Sequence, residues 1–126
     1  MNFQTDVLSD ENNYLFKQEK ILPANEVFVI STKNENNKIY VEWRIRENYY
    51  LYFDSIKIQN KKESIRYKIL ESSVYETEDE YFGKTKIYKD YLKIVFNDNY
   101  DESDHAIFYQ GCAEQGFCYP IQKYIL

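Results

Sequence analysis

Glycine and proline are scarce in this chain, three of one and two of the other among 126 residues. Low-complexity disorder draws on both, so their scarcity points to a folded chain. Histidine occurs once, at His105. A zinc site wants four ligands, so one His and two Cys make a weak case for a metal; His105 lies in a polar stretch and reads as a solvated surface residue. A basic surplus is absent too. The net charge of -5 argues against a phosphate backbone as the main partner. No apolar run is long enough to cross a bilayer. Met1-Asn2-Phe3-Gln4-Thr5-Asp6 has neither the basic start nor the apolar stretch of a secretory signal, which fits a cytosolic protein or a mature or excised piece.

What the chain does have is aromatic. Fourteen tyrosines dominate an aromatic fraction of 18%, and hydrophobic residues reach 44%, enough for one domain with one core. Residues 1–20 are polar and weakly patterned and read as an N-terminal arm with at most a loose helical turn. From residue 21 the period is two. Residues 27–31 read as a strand, and 34–37 as a turn. Ile39, Val41, Trp43 and Ile45 then alternate with polar partners, the signature of a half-buried strand. Further strands are expected around Tyr49–Phe53, Ile56 and Ile58, Ile65 to Ile69, Leu92 to Phe96, and residues 106–110 and 119–125. Residues 76–83 read as an acidic-aromatic loop and 97–104 as a polar turn. Many short strands without a long amphipathic helix predict an all-β, immunoglobulin-like sandwich over residues 21–126. Trp43 suits such a core as an inward residue on an early strand. The antibody disulfide does not recur, because both cysteines follow Trp43 and lie close together.

Those cysteines, Cys112 and Cys118, sit in Tyr109-Gln110-Gly111-Cys112-Ala113-Glu114-Gln115-Gly116-Phe117-Cys118-Tyr119-Pro120. Five intervening residues allow them to bond to one another, with Gly111 and Gly116 letting the backbone turn. So short a ring removes little chain entropy, about 2 kcal/mol against more than 4 for a bridge between distant strands. The pair reads equally as a hairpin staple or as a redox switch, which needs one sulfur within a partner's reach and a second to resolve the mixed disulfide. The run Thr77-Glu78-Asp79-Glu80-Tyr81-Phe82-Gly83-Lys84 places adjacent rings between acids and a glycine. One ring packing into the sandwich beneath solvated acids explains it. A lid over the sulfurs also explains it, favoured by sulfur-aromatic contact and with acids that raise nearby thiol pKa values. In Tyr49-Tyr50-Leu51-Tyr52, alternate rings point to opposite faces, so some are core and others are free to floor a site.

Three segments taken together resemble one family. Val41-Glu42-Trp43-Arg44-Ile45 with Asn48-Tyr49-Tyr50-Leu51-Tyr52, then Asp79-Glu80-Tyr81-Phe82-Gly83-Lys84 with Ile87-Tyr88, then the cysteine segment through Pro120, are similar in order and spacing to the N-terminal periplasmic domain of the thiol:disulfide interchange protein DsbD. The resemblance covers about residues 21 to 126. It implies a periplasmic immunoglobulin-like domain, excised from a larger membrane protein and acting as a monomer. It also implies thiol-disulfide oxidoreductase activity through a Cys112–Cys118 disulfide, with no metal or organic cofactor. Electrons would arrive from a thioredoxin-like C-terminal domain of the parent protein. They would leave to a DsbC-like isomerase and to the thioredoxin-like protein of cytochrome c maturation. By position, Cys118 would form the mixed disulfide and Cys112 would resolve it. Asp79, Glu80, Tyr81, Phe82 and Gly83 would cap the site, with Asp79 and Glu80 assisting proton movement. Tyr49, Tyr50, Tyr52 and Phe117 would line it. Two departures stand out. The family cap commonly reads Phe then Tyr, whereas here Tyr81 precedes Phe82. A second proline often follows the last cysteine's proline, and here Ile121 stands in its place. A passive immunoglobulin-like binding module with a structural disulfide is the alternative from another class.

Overall fold

The computed structural model describes residues 21–98 and 104–126. The expected N-terminal arm, residues 1–20, and most of the polar turn before His105 lie outside the described residues. After a single helical turn, α1 (Ala24–Val27), ten strands follow: β1 (Phe28–Glu35), β2 (Lys38–Ile45), β3 (Tyr49–Tyr52), β4 (Lys57–Asn60), β5 (Glu63–Ile65), β6 (Lys68–Asp79), β7 (Gly83–Asn97), β8 (His105–Tyr109), β9 (Gly111–Ala113) and β10 (Gln122–Ile125). They form two antiparallel sheets. The larger runs β1-β2-β7-β3-β9, with β6 on the other edge of β7; the smaller runs β10-β8-β4-β5. This is the immunoglobulin-like sandwich that the spacing of the strands predicts, with the cysteine segment between β8 and β10.

The core follows from the alternation. In β2, Ile39, Val41, Trp43 and Ile45 are buried, and Trp43 meets Tyr109 of the facing sheet edge-on at 5.6 Å between ring centroids. Leu51, Tyr88, Leu92, Ile94 and Ile107 complete the same cluster. Full burial of side chains this large contributes about 1.5–3 kcal/mol each. Tyr49 belongs here, packed against Phe28 and Tyr119.

Three expectations change on folding. Residues 76–79, read as loop, end strand β6, and β7 begins at Gly83, so the acidic-aromatic run is the tip of a long hairpin with only residues 80–82 in the turn. His105, read as solvated, is fully buried. It opens β8, the strand between β4 and β10, where it pairs with Asn60 and lies against the Phe96 ring. Gly111 has a different purpose from a turn. It sits in β9, and a Cβ there would collide with the Tyr50 carbonyl oxygen and come within 2.6 Å of Phe28 Cζ. Gly116 alone supplies the turn, at φ 115°.

Candidate active site

The outer face of the larger sheet carries a second, smaller cluster. Because side chains alternate along a strand, β3 sends Leu51 inward and Tyr50 and Tyr52 outward. β7 likewise buries Tyr88 in the main core and Ile87 in the outer cluster, and β9 gives Ala113 to the main core and Cys112 to the outer one. Tyr52, Ile87 and Cys112 are buried there, with Tyr50 and Cys118 packed beside them. Register brings the sulfurs to this place: Tyr50 pairs with Cys112 across β3 and β9, and Cys112 forms an antiparallel bridge with Cys118 after the turn. Cys112 and Cys118 are joined as a disulfide. Its two ends differ. Cys112 is 0% exposed, whereas Cys118 is half-buried and lines an open cavity of about 450 Å³ together with Asp79, Tyr81, Lys89 and Glu114.

Asp79 organises the face above the sulfurs. It is only 6% exposed, and its carboxylate accepts four hydrogen bonds. Oδ2 accepts from the Tyr50 hydroxyl at 2.6 Å and from the Tyr52 hydroxyl at 2.7 Å. Oδ1 accepts from the backbone N–H groups of Tyr81 at 2.7 Å and Phe82 at 3.2 Å. Burial works against the charged carboxylate, but these donors outweigh it and hold the Asp79 pKa below its usual value. The same contact works the other way on the phenols. Burial first, then the Asp79 carboxylate, pushes Tyr50 and Tyr52 well above the ordinary tyrosine range, so both stay protonated donors. The Tyr52 hydroxyl also lies 3.1 Å from Cys112 Sγ and 3.6 Å from Cys118 Sγ. A disulfide sulfur carries no proton, so the single Tyr52 proton goes to Asp79.

The two rings at the hairpin tip divide their contacts. Phe82 sits edge-on against Tyr52 at 4.8 Å between centroids, while the Tyr81 hydroxyl donates to the Gly116 carbonyl oxygen at 3.0 Å. Tyr81 therefore satisfies its polar tip on the cysteine turn itself. Both rings are still largely open, Tyr81 at 55% and Phe82 at 62% exposure. Glu80 is exposed at the hairpin tip. Phe117 packs on Tyr119, and Tyr49 faces the main core, so neither ring is in the cluster around the sulfurs. Lys89 went unnoticed in the sequence. Its ammonium reaches Glu114 at 2.6 Å, and one lysine among the several of β7 gives no advance sign of that. Among the described residues, no group of three His, Cys, Asp or Glu side chains is arranged to hold a metal ion.

A half-buried sulfur bonded to a fully buried one, beside a hydrogen-bonded aromatic hairpin, makes this an immunoglobulin-like domain with an asymmetric disulfide on its outer face. Residues 18–125 match the family described as thiol:disulfide interchange protein DsbD, N-terminal, and the chain belongs to that family. It is 32% identical over 112 residues to the thiol:disulfide interchange protein DsbD of Vibrio cholerae, and 34% identical over 105 residues to that of Salmonella typhi. These alignments cover 86% and 82% of this chain but 18% of each relative, so the chain corresponds to a small part of those proteins. The N-terminal domain of DsbD from Neisseria meningitidis, in its reduced form, superimposes with a TM-score of 0.70 at 26% identity, covering 84% of this chain and 89% of that one. A second structure, of the complex between the DsbD and PilB N-terminal domains from the same organism, gives a TM-score of 0.57 at 26% identity, covering 85% and 88%. Membership places the domain in the periplasm.

Proposed function

We propose that the domain passes electron pairs to periplasmic proteins by dithiol-disulfide exchange, with Cys118 as the sulfur that meets the partner. The observation that carries this is the asymmetry of the pair: Cys118 borders an open cavity, and Cys112 is sealed behind it. In the reduced domain the Cys118 thiolate attacks a partner disulfide, forming a mixed disulfide and releasing one partner thiolate. The Cys112 thiolate then attacks Cys118 Sγ, which releases the second partner sulfur and restores the Cys112–Cys118 bond. Two electrons leave the domain, and two protons end on the partner. For recharging, a donor thiolate attacks Cys118 and expels Cys112 as a thiolate, and the donor's second thiolate then attacks the first donor sulfur, releasing Cys118 and leaving the donor as the disulfide. The Tyr52 hydroxyl lies between Asp79 and Cys112, and by turning its one proton from the carboxylate to the departing Cys112 thiolate it can hydrogen-bond that sulfur.

The donor we infer is a thioredoxin-like C-terminal domain of a longer parent protein. The acceptors we infer are thioredoxin-fold proteins of the DsbC-like isomerase and cytochrome c maturation type, met by a monomeric domain. The Neisseria complex with a PilB N-terminal domain supports a protein partner. The Asp79–Gly83 hairpin tip serves as the cap that such a partner displaces. Cys112→Ala should accumulate a covalent adduct with a thioredoxin-fold protein, joined through Cys118 and visible on non-reducing gels. Cys118→Ala should give none. The opposite pattern would reverse the roles, and no adduct with either variant would sink the exchange reading.

A further inference from the structure

Strand β7 is irregular at one place. Between the pairs Tyr88–Val74 and Leu92–Ser72 it carries three residues against one on β6, and Asp90 in that bulge has φ 70°. A left-handed residue other than glycine costs about 1 kcal/mol, and bulges are used to re-aim side chains. Here the bulge marks the point where β7 exchanges one neighbour for another, pairing with Leu51 of β3 before it and Arg44 of β2 after it. Lys89 stands at its entrance. Its ammonium reaches Glu114 Oε2 at 2.6 Å and lies 5.5 Å from the centre of the Tyr75 ring. Glu114 is the second residue after Cys112 and opens the turn that ends at Cys118. The backbone of that turn is held by Glu114 N–H to the Asn48 carbonyl at 2.8 Å and by Ala113 N–H to the Phe117 carbonyl at 2.6 Å.

The charges around the sulfur are one-sided. Glu76, Glu78, Asp79 and Glu80 from the hairpin and Glu114 from the turn border the cavity that Cys118 lines, together with the rings of Tyr50, Tyr75 and Tyr81. Lys89 is the one cation among the described residues lining it. We propose that Lys89 is a positioning residue for the exchange: it holds Glu114, and so the turn carrying Cys118, and cancels a carboxylate charge that would otherwise face that sulfur. The ammonium is well suited to this, because its hydrogen bond to Glu114 keeps it charged above the ordinary lysine range.

The electrostatic part has a sign that a purely mechanical latch lacks. A cation favours a neighbouring thiolate and an anion disfavours it. Lys89→Met should therefore move the Cys118 thiol pKa up, and Glu114→Gln should move it down. An exposed pair of this kind warrants a shift of about half a unit each way. The measurement is the pH profile of iodoacetamide alkylation of Cys118 in the reduced 126-residue protein, followed by peptide mass spectrometry. Lys89→Arg should keep the wild-type profile, and the double variant Lys89→Met with Glu114→Gln should return close to it. Shifts of both single variants in the same direction, or no shift in either, would overturn the proposal. It rests on Cys118 as the exchanging sulfur, but the alkylation profile needs no partner. Opposite shifts without partner adducts would sink the exchange reading, and with it the role of Lys89 in exchange, and leave only the coupling of Lys89 and Glu114 to the Cys118 thiol standing.

Discussion

The main core and the outer cluster are built from neighbouring residues of the same strands, yet they obey different physics. Inside the sandwich, Trp43, Leu51, Tyr88, Leu92, Ile94 and Ile107 exclude water almost completely. On the outer face the same strands contribute Tyr50, Tyr52, Ile87 and Cys112, and what closes over them is one carboxylate with four donors and two rings more than half exposed. The first arrangement derives its strength from apolar area and is hard to open locally. The second depends on a few hydrogen bonds, each worth about 1.5–3 kcal/mol when one partner is charged, and can open without unfolding the domain. One residue of alternation along β3 separates the part that keeps the fold from the part that is proposed to open.

That contrast can be broken from either side. The largest effect belongs to the interior: Trp43→Ala should cost about 3–5 kcal/mol of unfolding free energy in a denaturant titration, since it removes a fully buried ring at the centre of the core. The folded fraction should reduce with dithiothreitol at the wild-type rate. A smaller and opposite pattern is expected on the outer face. Phe82→Ala removes the edge contact on Tyr52, and Tyr81→Ala the tie to Gly116. Each should speed reduction of the disulfide by dithiothreitol roughly two- to tenfold, with little loss of unfolding free energy. Unchanged rates in both would mean the rings do not guard the sulfurs; a change in only one would tell which ring does. The smallest effect is on acidity. Asp79 has a folded pKa below its unfolded value, so its contribution is complete above the ordinary carboxylate range and is lost as pH falls through the lower, folded pKa. Dithiothreitol rates, corrected for the thiolate fraction of the reagent, should rise only below about pH 4. A rise already near neutrality would remove Asp79 as its cause.

The two regions also differed in how far they could be read from the sequence. Strand β2 was legible because Ile39, Val41, Trp43 and Ile45 alternate with polar residues, and burial follows that alternation. Most of β6 and the first half of β7 were not. Most of β6 is exposed on both faces, the first half of β7 buries only the adjacent Ile87 and Tyr88, and two register shifts interrupt the pairing, so no period of two survives. They are strands because they pair with each other, which is a tertiary fact. Asp79 was named through the family resemblance alone, for a related reason. In an acidic run it looks solvated, and only the approach of Tyr50 and Tyr52, 29 and 27 residues away, buries it. The cysteine pair, by contrast, was visible from spacing, although spacing left it undecided between staple and switch. Gly111 was visible too, but for the wrong reason, since close contact with Tyr50 and Phe28 needs long-range register.

Asp79 is the residue proposed to hold the cap closed over a sulfur that is otherwise within reach. The direct measurement is the dithiothreitol reduction rate of Asp79→Ala beside the wild type, with denaturant unfolding of both. Losing all four hydrogen bonds should raise the rate at least about tenfold, equivalent to 1.4 kcal/mol of cap closure, while the main core unfolds at nearly the same denaturant concentration. A wild-type rate in a folded Asp79→Ala variant would contradict it.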